Sequence, residues 1–248
     1  MTSIGLIRSE LRKLTSTWMP WVFLVVLMAI SATNAAAVIF GTDADGSKGF
    51  IATAEDQQSL VAFAANAFII AGLFGAMAVA REYGHGTVVP TFLASPRRHR
   101  AVLAQYTAVL IGGAGIGLIG AALTAAAVAA SLPTTDHSFL MSAGALTQVL
   151  AASAFAGAAG SVLGAGIGAL VRNTGGAVTA AVLVLIIAPP LVMQMSGDAT
   201  SWVPNTLANV LSGVGDDVGV LAAIAAIAAW AVVPAVIGLI SVQRRDVV

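Results

Sequence analysis

Six stretches of the chain run without a single charged residue and are dominated by apolar side chains: 18–40, 60–80, 101–132, 139–171, 177–195 and 218–242. Each is close to or above the roughly 20 residues that a helix needs to cross a bilayer. A lone strand in lipid would leave its backbone polar groups unpaired, so each stretch is predicted to be helical. The third and fourth are longer than a bilayer requires, and are expected to tilt or to project beyond it. Ahead of the first stretch, residues 3–16 place Ile4, Ile7, Leu11 and Leu14 at i, i+3, i+7 and i+10, with Arg8, Arg12 and Lys13 among the polar positions. That spacing predicts an amphipathic helix lying in the membrane interface, with Ile7, Leu11, Arg12, Lys13 and Leu14 as its defining residues. A plain positively charged anchor fits the same residues.

Composition removes the soluble alternatives. Hydrophobic residues make up 58% of the 248 and charged residues only 9%, with a mean hydropathy of +0.95. Soluble domains carry about 25% charged residues, so this chain lacks the polar surface to cover a water-facing globule. Cysteine is absent, which excludes disulfides, thiolate metal sites and a cysteine nucleophile. A cleaved signal peptide is the rival reading of the N-terminus, because small residues, Ala35-Ala36-Ala37, end the first stretch. Signal peptides have apolar cores of about 7–15 residues, shorter than 18–40.

Lys plus Arg and Asp plus Glu number 11 each, so net charge points to no nucleic-acid partner and only the placement of charge informs. Ten of the 11 basic residues fall before the first stretch, between the second and third, between the fourth and fifth, or after the sixth. The alternate loops hold Asp43, Asp45, Glu55, Asp56, Asp136, Asp198, Asp216 and Asp217, with Lys48 the one cation. This alternation predicts both termini in the cytoplasm. The expected fold is an all-α integral membrane protein: one transmembrane domain over 1–248, six spanning helices and an N-terminal interfacial helix.

Few of the usual chemical constellations are present. Gly115-Ile116-Gly117-Leu118-Ile119-Gly120 matches the dinucleotide-binding string but lies inside an apolar stretch, where glycines serve close helix packing. Gly160, Gly164 and Gly168 repeat that small-residue spacing. His85, His99 and His137 fall in loops, away from any partner that would make them catalytic or metal-ligating. Asp216-Asp217 reads as a solvated helix start. The six stretches hold no Asp, Glu, Lys, Arg or His, whereas ion-coupled transporters keep such groups at membrane depth. Asn34, Asn66, Thr124, Gln148 and Ser153, with a few other hydroxyls, are neutral polar residues there, suited to interhelical hydrogen bonds. Phe63, Asn66, Ile70 and Phe74 fall along one side of the second span; they would line a path for an apolar substrate, or pack against a helix or lipid.

The cytoplasmic segment 81–100 contains Gly84, Gly86, a capping Thr87, the apolar Val88, Val89, Phe92 and Leu93, and then Ser95-Pro96, a start signal for the third span. Its apolar centre calls for a cover. This loop resembles that of ABC-2 type transporter permeases between their second and third spans: Glu-x-x-x-Gly-Thr, a short hydrophobic coupling helix, then a Ser/Thr-Pro-Arg start. The matching positions are Glu82, Gly86, Thr87, the 88–93 segment with Thr91, Phe92 and Leu93, and Ser95, Pro96 and Arg97. Pro90 departs from the pattern and constrains Val89. Residues 9–18 are similar to the interfacial helix that opens many small permeases of this family, and 202–208 to the external segment before their last span.

The resemblance implies a permease subunit of an ATP-driven transporter, with no catalysis and no cofactor of its own. ATP and Mg would be on a cytosolic ABC ATPase subunit docked at 82–97, with Phe92 and Leu93 as apolar anchors and Glu82 and Arg97 as interfacial charges. The other partners implied are a second permease subunit, identical or not, and the lipid bilayer. Spans two and five would line the path, and the segment after span five would dip back into the outer leaflet, a break that Pro189-Pro190 and the 196–217 stretch permit. The cargo expected is a small amphipathic molecule, drug, lipid or peptide, moved outward. Arg outnumbers Lys nine to two and Ala abounds, as in GC-rich bacterial genomes, which suggests a bacterial plasma membrane. The alternative is a membrane anchor or immunity-type protein that binds a partner and transports nothing. It leaves the apolar 88–93 segment unexplained.

Overall fold

A computed structural model describes residues 3–44, 46–65, 67–84, 86, 98–195, 197–215 and 218–244. Among them no strand occurs, and the helices are α1 (Ser3–Thr15), α2 (Met19–Phe40), α3 (Ala54–Ala65), α4 (Ala67–Gly84), α5 (Arg98–Ser131), α6 (Ala143–Val171), α7 (Thr174–Val182), α8 (Ala188–Met195), α9 (Pro204–Leu211) and α10 (Val220–Arg244). Six helical segments among the described residues are long and apolar enough to cross a membrane: Met19–Phe40, Ala54–Gly84, His99–Thr135, Ala143–Val171, Thr174–Met195 and Val220–Arg244. This is the architecture of a multi-pass membrane protein.

Local capping explains where these helices depart from the apolar stretches. The fourth starts at Ala143, four residues later than the stretch, because the Ser142 hydroxyl accepts from the Ala145 N–H at 3.1 Å. The fifth starts earlier, at Thr174, because the Asn173 side chain accepts from Gly176 N–H at 3.0 Å. The second begins at Ala54 rather than near 60, its first turn carrying Glu55 and Asp56, which favour a helix N-terminus. Within the fifth span, Leu183–Ile187 forms a π-helical turn in which Ala188 N–H bonds Leu183 O. Pro189 and Pro190 follow, and their missing N–H groups cannot serve the carbonyls of Leu185 and Ile186 in an α-helical ladder.

The centre of the bundle is α6, whose residues 152–169 are mostly buried and which packs against α4, α5 and α10. Glycine makes this approach a backbone contact. A Cβ on Gly164 would collide with the Gly72 carbonyl, one on Gly160 with the Phe68 carbonyl, and one on Gly117 with the Ser153 carbonyl. Close approach is thus the use of Gly117, Gly160 and Gly164, as their spacing predicted. By contrast α2 buries only Met19, Phe23, Leu27 and Ser31, at i, i+4 intervals, and Val38 near its end. α8 has no buried residue.

The two ends of the bundle are held by different chemistry. One end is sewn by amides. Fully buried Gln57 donates to Ile51 O and Ser138 O, both at 3.0 Å, and accepts from Leu140 N–H at 2.9 Å. Gln58 donates to Ser212 O at 2.6 Å and Gln148 to Leu211 O at 3.2 Å. The other end, where α1 lies against α5 and reaches the last turn of α4, is held by charge.

Candidate functional site

The charged end is assembled from five helices, α1, α4, α5, α6 and α10. α1 lies against α5 and buries Leu6 and Glu10, one turn apart, while Ile4 is 79% exposed and Arg12 is exposed. Ile7, Leu11, Lys13 and Leu14 are half-buried. The helix therefore has three faces, not two: the apolar strip read from the sequence, a basic strip beside it, and a packed strip containing a carboxylate. Glu10 gave no sequence signal for burial, because an acid among three cations reads as a solvated group.

Lys13 Nζ reaches Glu10 Oε1 at 2.7 Å and Glu82 Oε1 at 3.2 Å. Burial, and next the negative charge of Glu82, push the Glu10 carboxyl above its ordinary pKa, against the opposing pull of Lys13. For Lys13, burial pulls the ammonium down, but its bond to Glu10 and the charges of both carboxylates outweigh it, and the net shift is upward. One cation shared by two carboxylates thus pins α1 to the end of α4.

Beside this pair, the Arg172 guanidinium lies over the ring of Tyr83, 5.4 Å from its centre, and its Nη2 donates to Ser241 O at 3.2 Å. Arg172 itself sits in the left-handed region at φ 57°, ending α6. Its side chain links α4, α6 and α10, a role that a lone arginine between two apolar stretches did not announce.

The loop residues divide. Glu82 ends α4 as described, and Gly86 follows at φ 69° with its N–H bonded to Tyr83 O at 3.3 Å; the positive φ of that turn is the reason for glycine. Thr87, Thr91, Phe92, Leu93, Ser95, Pro96 and Arg97 lie outside the described residues. Of the second-span side, Asn66 and the Phe63 side chain also lie outside. Ile70 and Phe74 are 7% and 3% exposed, and Phe74 meets Phe23 of α2 edge-on at 5.4 Å between ring centres. Within one chain, then, both residues belong to a core cluster with Met19, Phe23 and Leu27 of α2, and the Phe74 ring also lies against Gly112 of α5.

Of the neutral polar residues, Gln148 and Thr124 bond between elements, Thr124 to Ser31 at 3.2 Å. Asn34 instead donates to Ile30 O of its own helix at 2.9 Å. Ser153 faces a small cleft toward the amide-sewn end, of about 30 Å³, bordered also by Asn205, Asn209 and Ser212, large enough for a water molecule. The asparagines, four apart on α9, were not singled out from sequence. Their helix buries Pro204, Leu207 and Val210, and Leu207 joins Phe68, Leu163 and Ile227 in one core cluster. The segment before the last span is thus packed into the bundle.

Compared with protein-family models and with curated protein sequences, the chain finds no match in either.

Proposed function

We propose that this chain is the membrane-spanning permease subunit of an ATP-driven transporter of the ABC-2 type, exporting a small amphipathic molecule, drug, lipid or peptide from a bacterial cell. The observation that carries the reading is Glu82: the first residue of the loop motif is tied through Lys13 to Glu10 of the amphipathic helix. The start of the 82–97 loop and α1 are thereby joined, so a force applied to the loop reaches both α1 and α4. A cytosolic ATPase subunit gripping Phe92 and Leu93 would supply that force, since apolar side chains buried at the centre of an interface carry most of its binding energy. With two such permeases side by side, ATP-driven closure of the ATPases would rock the spans and change which side is open. Hydrolysis would occur on the partner; this chain would bind no nucleotide. Both termini would be cytoplasmic. The neutral spans favour a drive from outside the membrane over an ion gradient.

The test replaces Phe92 and Leu93 together with Asp and measures co-purification with the ATPase from the same membrane, together with substrate-stimulated ATP hydrolysis. Loss of both is expected. Unchanged association and unchanged stimulation would overturn the coupling role of the loop.

A further inference from the structure

An apolar groove of about 260 Å³ runs between α1, α2 and α5. Its walls are carbon, from Leu11, Leu14, Phe23, Leu27, Ile111 and Ile119, with Thr15 at the rim. From Ile111 to Ile119 it follows α5 for about 12 Å at the helical rise. Its floor includes Gly115, and this glycine differs from its neighbours. A Cβ on Gly113 or Gly117 would strike α6, whereas one on Gly115 would meet nothing within 4 Å. Helix packing thus does not require glycine at 115; its missing side chain serves to keep the groove open.

The basic strip of α1 adjoins this groove. Arg8 and Arg12 precede the lining residues Leu11 and Thr15 by three positions each, which makes them neighbours on the helix surface. Both are exposed, and neither guanidinium has a hydrogen-bond or ion-pair partner among the described residues. Lys13, by contrast, is committed to Glu10 and Glu82. We propose that this groove binds an anionic phospholipid, one acyl chain lying along Leu14, Phe23, Leu27 and Ile119, and the phosphate held by Arg8 and Arg12. Charge selects this occupant. A zwitterionic lipid satisfies the groove equally well but brings no net charge to two adjacent guanidinium groups, whose geometry suits a phosphate. The site does not depend on the chain being a transporter.

Native mass spectrometry of the full chain in detergent, with phosphatidylglycerol or phosphatidylcholine of identical acyl chains added, tests it. Wild type is expected to retain the anionic lipid roughly tenfold better, in line with the contribution of juxtamembrane cations to anionic-lipid binding. Arg8→Gln with Arg12→Gln should bind the two lipids alike, and Gly115→Leu should retain less of both. Equal retention by wild type, or a preference that survives the double substitution, would overturn the proposal. So would a lipid-free dimer that Gly115→Leu converts to monomer, since a second copy would then fill the groove. Both arginines are exposed, so the double variant decides the matter even where Gly115→Leu does not fold.

Discussion

Replacing Gly164 by Ala adds one methyl group at the contact between α6 and α4. That methyl would overlap the Gly72 carbonyl oxygen and stand 2.8 Å from both Gly72 C and Ala76 N. Nonbonded carbon contacts settle at about 3.5–4.0 Å, so relieving the overlap with the Gly72 oxygen requires the two helices to part by more than about 1 Å, and none of the obstacles is a side chain that can rotate away. Overpacking of this kind costs about 1–3 kcal/mol, and backbone against backbone belongs at the upper end. Gly115→Ala is the matched control. It is also in a long helix, meets nothing within 4 Å, and gains up to about 1 kcal/mol of helix propensity. The two variants should therefore differ by roughly 3 kcal/mol, or roughly 10 °C in melting temperature for a chain of this size. Heating each in detergent and following the monodisperse fraction by size-exclusion chromatography measures the gap. If the two melt together, the close approach of α4 and α6 does not hold the bundle, and the reading of its glycines is wrong.

Two further outcomes follow from polar groups. Because the folded-state pKa of Glu10 lies above its ordinary 4.5, its contribution to stability is full below that value and is lost as pH rises through the folded-state pKa. Lys13, also raised, keeps its contribution until pH climbs past its ordinary 10.5, so it adds no slope in the acid range. Melting curves of wild type against Glu10→Gln should therefore diverge as pH rises above the ordinary 4.5, wild type losing more; parallel curves would refute the shift. Gln57→Leu removes three hydrogen bonds and strands two carbonyls and one N–H, for a loss of about 3 kcal/mol after partial rehydration. Proteolysis of the 136–142 segment should quicken accordingly, and an unchanged nicking rate would show that Gln57 is dispensable there.

What could be read in advance followed from periodicity and from the absence of charge. Six spans and an N-terminal helix need nothing else, because lipid leaves the backbone one solution. The glycine spacing on α6 was readable for a similar reason: only close approach gives a use to small residues every fourth position. The helix starts were not, since Ser142 and Asn173 decide them through single side-chain bonds that hydropathy averages away. Nor were Glu10 and Arg172, whose roles depend on partners 72 and 69 residues distant. Gln57 was missed because an amide before an apolar stretch looks like loop, and only the return of Ser138 and Leu140 to the same place makes it structural.

The distribution of tight and loose contacts bears on how a push at the 82–97 loop would travel. α4, α5, α6 and α10 meet through glycines at backbone distance, and such a contact has no soft side chain to absorb displacement, so these four move as one body. The fifth span is attached differently. It buries only Ala177, Ala181 and Leu185, its π turn interrupts the α-helical ladder, and α8 buries nothing. α1 is fastened to that body by its packing on α5 and through Lys13 and Glu82, and α2 through Met19, Phe23, Leu27 and Ser31 with Val38 beyond them. A displacement entering at Glu82 would therefore shift α1 and the four-helix body together, and relative motion would appear where the attachment is weakest, at 183–195. Hydrogen exchange distinguishes the cases: protection should be highest in α6 and lowest in 183–195. A fifth span protected as strongly as α6 would mean that the moving boundary lies elsewhere.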